Sequence, residues 1–213
     1  MDYSELQNKA KENIIRNAYK LFANNGIHNV ALVQIAKESE IGVATVYRYF
    51  GNKKNIINEC ANSVWKKVIL GVQDKISSLE FLQLTGIEKI EGLLSMFLTM
   101  YQDDKEFLKF VSEFDAYIAQ EKLTLEEMQE YNNNFLTFHE IGLNFFIEGI
   151  KDLTIKDDID FDTFYYSITR ALLDVSMKGA NSPVLIETDK MVSIEKQLEQ
   201  LITMAIYYCK KGE

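Results

Sequence analysis

With 213 residues, 47% hydrophobic and 12% aromatic, the chain can bury a full core as one large domain or two small ones, which excludes a disordered tail. Its apolar runs fall well below the roughly 20 residues of a membrane span and no signal-peptide apolar region opens it, so a cytoplasmic protein with no membrane partner is expected. The net charge of −9 is unevenly placed: residues 9–54 carry eight Lys or Arg against three acids, a local +5 that leaves −14 on the remainder. With a basic head on an acidic body, the overall negative charge does not exclude a nucleic-acid partner, because such affinity depends on local cations.

In chain order, the first helix is expected from about Ser4, which has capping-box spacing with Gln7, to about Asn24. Ala10, Ile14, Ala18, Leu21 and Phe22 form its core stripe, Gly26 stops it, and His28 falls in a polar surface linker. Next comes a shorter segment with Leu32, Ile35 and Ala36 on one face, then a break at Glu40-Ile41-Gly42. A second short segment follows, with Val43, Val46, Tyr47 and Phe50 as its apolar positions and Ala44, Thr45, Arg48 and Tyr49 left to the outside. Two short helices around a tight turn make a helix-turn-helix, whose second helix can enter the DNA major groove. Thr45 can reach a base edge or a phosphate, Tyr47 and Tyr49 carry hydroxyls at ring length, and Arg48 and Lys53 supply charge for phosphate oxygens.

Residues 32–56 resemble the DNA-binding signature of the tetracycline-repressor (TetR) family of bacterial transcriptional regulators. Ile35-Ala36, the run Thr45-Val46-Tyr47-Arg48-Tyr49-Phe50, and Lys53 carry the match, and Phe22-Ala23-Asn24-Asn25-Gly26 lies at the expected distance upstream. The departures are Ala31 where the family has Ser or Thr, Glu40 where it has a turn glycine, and Gly42-Val43-Ala44 where it opens the recognition helix with a group such as Ser-Lys-Gly. Ala31 removes a side-chain cap worth about 1 kcal/mol. Glu40 is strained by about 1 kcal/mol relative to Gly if the turn needs positive φ there, unless Gly42 takes over that geometry. Val43 and Ala44 would shift base reading toward apolar contact with thymine methyls.

After Gly51, Asn52 is placed to cap a long helix from Lys53 to about Ser77, with Gly71 as a bend or close-packing point. The resemblance makes this helix a lever between the DNA backbone and an effector pocket. Beyond residue 80 the pattern is helical throughout: Thr85 and Glu88 box a helix to about Tyr101, Asp103-Asp104 opens one to about Gln120, and Thr124 with Glu127 opens one to about Ile150. A loop over 151–160 precedes a helix from Phe161 to Lys178. Gly179 and the only proline, Pro183, break the chain before a last helix from Thr188 to Lys210. The expected protein is therefore all-α, with a helix-turn-helix domain over 1–52 and a helical effector-binding and dimerisation domain over 53–213.

The middle helices are crowded with Met96, Phe97, Met100, Phe107, Phe110, Phe114, Tyr117, Phe135, Phe138 and Phe145. Any single ring reads as core, but the resemblance implies a small-molecule site among them, and Met with aromatics suits a large apolar ligand. Glu113 lies beside the Phe110, Phe114, Tyr117 stripe while Asp115 points outward, so an acid in the site would favour a cationic or hydrogen-bonding effector. His139 is either a satisfied core histidine or an effector contact. The site expected for the effector is thus Met96, Met100, Phe110, Glu113, Phe114, Tyr117, Phe138 and His139. The DNA set is Val43, Ala44, Thr45, Tyr47, Arg48, Tyr49 and Lys53.

Phe164, Ile168, Ala171, Leu172 and Val175, with Ile194, Leu198, Leu201, Ile202 and Ala205, form two apolar stripes. By resemblance they build a four-helix homodimer interface for a two-fold operator; the plain alternative gives both to the chain's own core. Cys60 and Cys209 share no metal spacing with His28 or His139 and read as reduced thiols, so neither metal nor cofactor is expected. No glycine-rich phosphate loop or catalytic His-carboxylate grouping points to an enzyme. The competing reading is a helical small-molecule carrier with a degraded DNA-binding head.

Overall fold

Helix ends are where the polar chemistry of this chain is concentrated, because each start leaves four amides that only a side chain, water or ligand can satisfy. The computed structural model describes residues 3–181, 187 and 191–212, and within them the regular structure is helical, with only an isolated antiparallel bridge between Ile155 and Lys210. In order the helices are α1 (Tyr3–Asn25), α2 (Leu32–Glu38), α3 (Val43–Phe50), α4 (Lys53–Ile76), α5 (Leu79–Leu82) and α6 (Gly86–Asp103). They continue with α7 (Lys105–Glu121), α8 (Gln129–Lys151), α9 (Phe161–Asn181) and α10 (Ile194–Cys209).

Several starts follow the expected chemistry. Asn52 Oδ1 accepts the Asn55 amide at 2.9 Å to open α4, and Asp104 Oδ1 accepts the Phe107 amide at 3.0 Å to open α7. Glu88 reaches back to the Thr85 amide at 2.8 Å at the start of α6. Others differ. The Thr124–Glu127 box closes a single turn, with the Thr124 amide 2.9 Å from Glu127 Oε2, and α8 begins only at Gln129. Ser193 Oγ, which accepts the Lys196 amide at 3.3 Å, starts α10 later than expected; Pro183 and Thr188 lie outside the described residues.

The chain forms two compact units. The first comprises residues 1–67 together with 109–133, and the second residues 68–108 together with 134–213. A division by compactness therefore assigns 109–133 to the same unit as the helix-turn-helix, unlike the division by motif at residue 52. The first core is built on Ile14, Ala18 and Phe22 of α1, Ile35 and Ala36 of α2, Val46 and Phe50 of α3, and Ile56, Ile57 and Cys60 of α4. Phe110, Phe114 and Tyr117 of α7 are buried in that unit, with the Phe110 ring 5.2 Å from Tyr19 of α1. Cys60 and Cys209 are both free and buried.

The second unit packs α6, α8, α9 and α10 around Leu94, Phe146, Leu172 and Leu198. Glycines set its closest approaches. A Cβ on Gly86 would lie 2.0 Å from the Gly149 nitrogen, so α6 and α8 meet backbone to backbone. Gly179 does not break α9 as expected; it lies within the helix, where a Cβ would come within 2.7 Å of both Ile194 and Tyr101. Gly71 is the opposite case, because α4 runs through it unbroken and nothing lies within 4 Å of an added Cβ. Of the expected α10 stripe, Leu198, Ile202 and Ala205 are buried in the chain's own core and Ile194 and Leu201 are half-buried, whereas Met204 and Tyr208, outside that stripe, are exposed.

Gly86→Ala is expected to lower stability by at least the 1–3 kcal/mol typical of overpacking, since backbone rather than a flexible side chain must yield. Gly71→Ala should raise it by about 0.5–1 kcal/mol through helix propensity alone. Urea unfolding of both variants, followed by circular dichroism, checks the opposite signs.

Candidate nucleic-acid interface

The interface is assembled from α1, α2 and α3, and the α2–α3 turn decides how α3 is presented. α2 ends in a Schellman motif: the Ile41 amide donates to the Ala36 carbonyl at 3.0 Å and the Glu40 amide to the Lys37 carbonyl at 3.1 Å. The motif requires a left-handed residue, and Glu40 takes it with φ of +55°, while Gly42 has φ of −64° and does not relieve it. Gly42 instead caps α3, its carbonyl accepting the amides of Thr45 at 2.9 Å and Val46 at 3.3 Å. At the other end of α2, Ala31 has no side-chain acceptor. Gln34 Oε1 accepts the Ala31 amide at 2.6 Å, so the reverse half of a capping box survives.

Two asparagines of α1 hold this turn from below. Asn13 Nδ2 donates to the Ser39 carbonyl at 3.0 Å, and Asn17 Nδ2 to the Glu38 carbonyl at 3.2 Å, with Ser39 itself buried. Sequence reasoning passed over Asn13 and Asn17. The signal was available, since two amides one helical turn apart and adjacent to the buried Ile14 and Ala18 need polar partners.

On α3 the core positions are Val46 and Phe50, with Val43 half-buried. Tyr47 is not part of that stripe as expected: it is 51% exposed, as are Ala44 and Arg48 on the outer surface. Tyr49 is the half-buried ring, with the Arg48 guanidinium carbon 5.1 Å and Lys11 Nζ 6.0 Å from its centroid. Tyr49 thus steadies two cations from α1 and α3 while Tyr47 projects outward. Thr45 is half-buried on the first turn.

Lys53 is less free than a phosphate ligand on an open helix start. Its Nζ donates to the His28 carbonyl at 3.5 Å and lies 5.9 Å from the Phe22 ring centroid. Burial pulls its pKa below the ordinary lysine value, with the Glu121 carboxylate acting the other way. His28 is exposed, its ring 5.7 Å from Tyr117 of the same unit.

The residues expected to line an effector site fall in both units. Phe110, Glu113, Phe114 and Tyr117 belong to the first, where Glu113 Oε2 accepts the Ile27 amide at 3.0 Å and lies 3.1 Å from where a Gly26 Cβ would be. Met96, Met100, Phe138 and His139 belong to the second, with both methionines half-buried and Phe138 buried. His139 Nε2 lies 2.7 Å from Asp162 Oδ1, and its ring is surrounded by Phe161, Tyr165 and Tyr166 at centroid distances of 5.2, 5.2 and 5.4 Å. Also in the second unit, an open groove of about 410 Å³ runs between α9 and α10, lined by Phe164, Ile168, Leu201, Met204 and Tyr208 among others. Among the described residues no group of three or more His, Cys, Asp or Glu is placed to hold a metal ion, and no helix is long and apolar enough to cross a membrane.

Residues 14–60 match the family described as bacterial regulatory proteins, tetR family. The HTH-type transcriptional regulator LuxR of Vibrio harveyi is 25% identical over 143 residues, covering 67% of this chain and 65% of that protein. Among solved structures, a transcriptional regulator from Saccharomonospora viridis in complex with choline superposes with a TM-score of 0.74 at 17% identity, covering 96% of this chain and 100% of the other. The transcriptional regulator FadR of Bacillus subtilis in complex with stearoyl-CoA superposes at 0.63 with 20% identity, covering 92% and 98%. At these identities the structural likeness concerns the fold.

Glu40→Gly is expected to relieve left-handed strain of about 1–2 kcal/mol, offset by about 0.5–1 kcal/mol of added unfolded-chain entropy. The outcome is a small gain in stability with α3 held as before, which thermal unfolding together with the DNA affinity of the variant will check.

Proposed function

We propose that this chain, which belongs to the tetR family of bacterial regulatory proteins, is a transcriptional repressor that binds a two-fold operator as a homodimer and is modulated by a small-molecule effector. The observation that carries the reading is α3: Val46 and Phe50 anchor it in the core, and Ala44, Tyr47 and Arg48 stand exposed on one short helix beside a Schellman turn. In the proposed complex Val43, Ala44 and Thr45 face base edges, with apolar contact to thymine methyls, while Tyr47, Arg48, Tyr49 and Lys53 approach phosphates. The carrier reading with a degraded head gains nothing from the departures at Ala31 and Glu40, because Gln34 and the Schellman geometry supply local substitutes for the missing Ser or Thr and Gly.

Dimerisation is placed on α9 and α10. Their groove leaves Leu201, Met204 and Tyr208 beside Phe164 and Ile168, an apolar surface that a second copy would cover. The effector site is placed in the second unit around Met96, Met100, Phe138 and His139, with Phe110, Glu113, Phe114 and Tyr117 acting on the head. Glu113 already accepts the Ile27 amide, which favours an apolar effector over a cationic one. The neighbours bound to stearoyl-CoA and to choline illustrate those two chemistries. Coupling requires that the effector bind unequally to DNA-competent and DNA-incompetent arrangements of the chain.

Arg48→Ala should weaken binding to a duplex from the DNA upstream of the protein's own gene by about tenfold and reduce the slope of log affinity against log salt by about 1. Unchanged affinity in a gel-shift series would remove α3 from the interface. Met204→Asp should convert a sedimenting dimer to a monomer at micromolar concentration with its helical circular dichroism intact. A wild-type monomer under the same conditions would defeat the α9–α10 assignment.

A further inference from the structure

The single turn between α7 and α8 holds a carboxylate against the start of α4, beside Lys53. Residues 121–130 carry Glu121, Glu126, Glu127 and Glu130 against one cation, Lys122, in the same compact unit as the basic head. α7 ends at Glu121, Lys122 takes a left-handed φ of +51°, and the chain turns into the Thr124–Glu127 box. Glu127 is thereby used twice. Its Oε2 accepts the Thr124 amide at 2.9 Å, and its Oε1 pairs with Lys54 Nζ. The segment is tied to α4 further along as well, through Asn62 Nδ2 to Glu130 Oε2 at 2.8 Å and the Trp65 ring edge-on to Tyr131 with centroids 6.4 Å apart.

A lone exposed ion pair is a weak constraint, because two long side chains must be held in one geometry against solvent screening. Here one partner is already ordered by a backbone hydrogen bond, so only the lysine is immobilised. Lys54 lies on the first turn of α4, two residues after the cap and four after the end of the recognition helix. Its neighbour Lys53 is turned onto the His28 carbonyl. Both cations at the start of α4 are thus occupied by the protein's own acceptors.

We propose that Glu127 competes with DNA phosphate for Lys54: its carboxylate holds the ammonium in the free protein, and the lysine must leave it to reach the DNA backbone. The proposal rests on the head being a DNA-binding module and adds a residue outside the helix-turn-helix that sets its affinity. Glu127 acts in the direction opposite to Arg48 of α3, lowering affinity rather than supplying it. Gln is tolerated at the third position of a capping box, so Glu127→Gln removes the charge while keeping the turn.

The test is fluorescence anisotropy of the full chain on a fluorescein-labelled random-sequence DNA duplex, over a salt series. E127Q is expected to tighten binding by about threefold to tenfold at low salt and to steepen the log–log salt slope by about 1, as one more phosphate is neutralised. The gain should vanish when E127Q is placed in a K54Q background, and E126Q, which removes the same charge one residue away, should not produce it. E127Q binding at or below wild-type affinity, a gain that survives K54Q, or an equal gain from E126Q would overturn the competitor while leaving the DNA-binding head in place. A wild-type chain with no salt-dependent binding to the duplex would overturn the DNA-binding reading beneath it.

Discussion

The hydrogen bond from the Ile27 amide to the Glu113 carboxylate, 3.0 Å long and 86 residues apart in sequence, is the constraint around which the first compact unit is organised. α1 ends at Asn25, and Gly26 after it, with φ of +83°, turns the next amide away from the helix and leaves it in need of an acceptor. Glycine at that position also leaves the room that the carboxylate occupies. Around this point Tyr19 meets Phe110 and His28 meets Tyr117, so the middle of α7 is packed in the same compact unit as α1, α2 and α3. Glu113, which its helical position beside the Phe110, Phe114 and Tyr117 stripe marked as a candidate ligand contact, serves here as an internal acceptor.

The α2–α3 turn illustrates how a Schellman geometry is kept without glycine at its left-handed position. A Schellman end needs one residue at positive φ, and a glutamate can hold it at a modest penalty because the two backbone hydrogen bonds of the motif are retained. The start of α2 needs an acceptor for at least one free amide, and Gln34 supplies it from inside the helix where the cap side chain is missing. The buried Ser39 carbonyl, fixed by Asn13, then positions the turn against α1. What α3 presents to DNA follows from these local solutions.

The second unit is governed by close approach. Gly86 against Gly149 and Gly179 against Ile194 and Tyr101 let α6, α8, α9 and α10 meet at distances that a Cβ would disturb, and Gly142 lies in tight contact with Tyr165 and Leu93. With the backbones this near, the aromatic residues fill the remaining volume in edge and tilted contacts, as with Phe146, Phe161 and Phe164. The same packing commits one side of α10 inward through Leu198, Ile202 and Cys209, which turns Met204 and Tyr208 outward to the groove.

Local chemistry was legible in the amino-acid sequence wherever the interacting groups are neighbours along the chain. The all-α class, the caps at Asn52, Thr85 and Asp104, and the two apolar-periodic segments of the helix-turn-helix depend on residues within four positions of one another, so periodicity and capping rules recover them. Tyr47 and Tyr49 were assigned to the wrong faces because both are amphipathic and an eight-residue helix offers barely two turns of periodicity. Gly179 was misread for a different reason: a glycine that ends a helix and one that admits a neighbouring helix look alike without the neighbour. The partners of Glu113 and Glu127, 86 and 73 residues distant, were decided only by tertiary structure, since no local rule relates charges that folding alone brings within hydrogen-bond range.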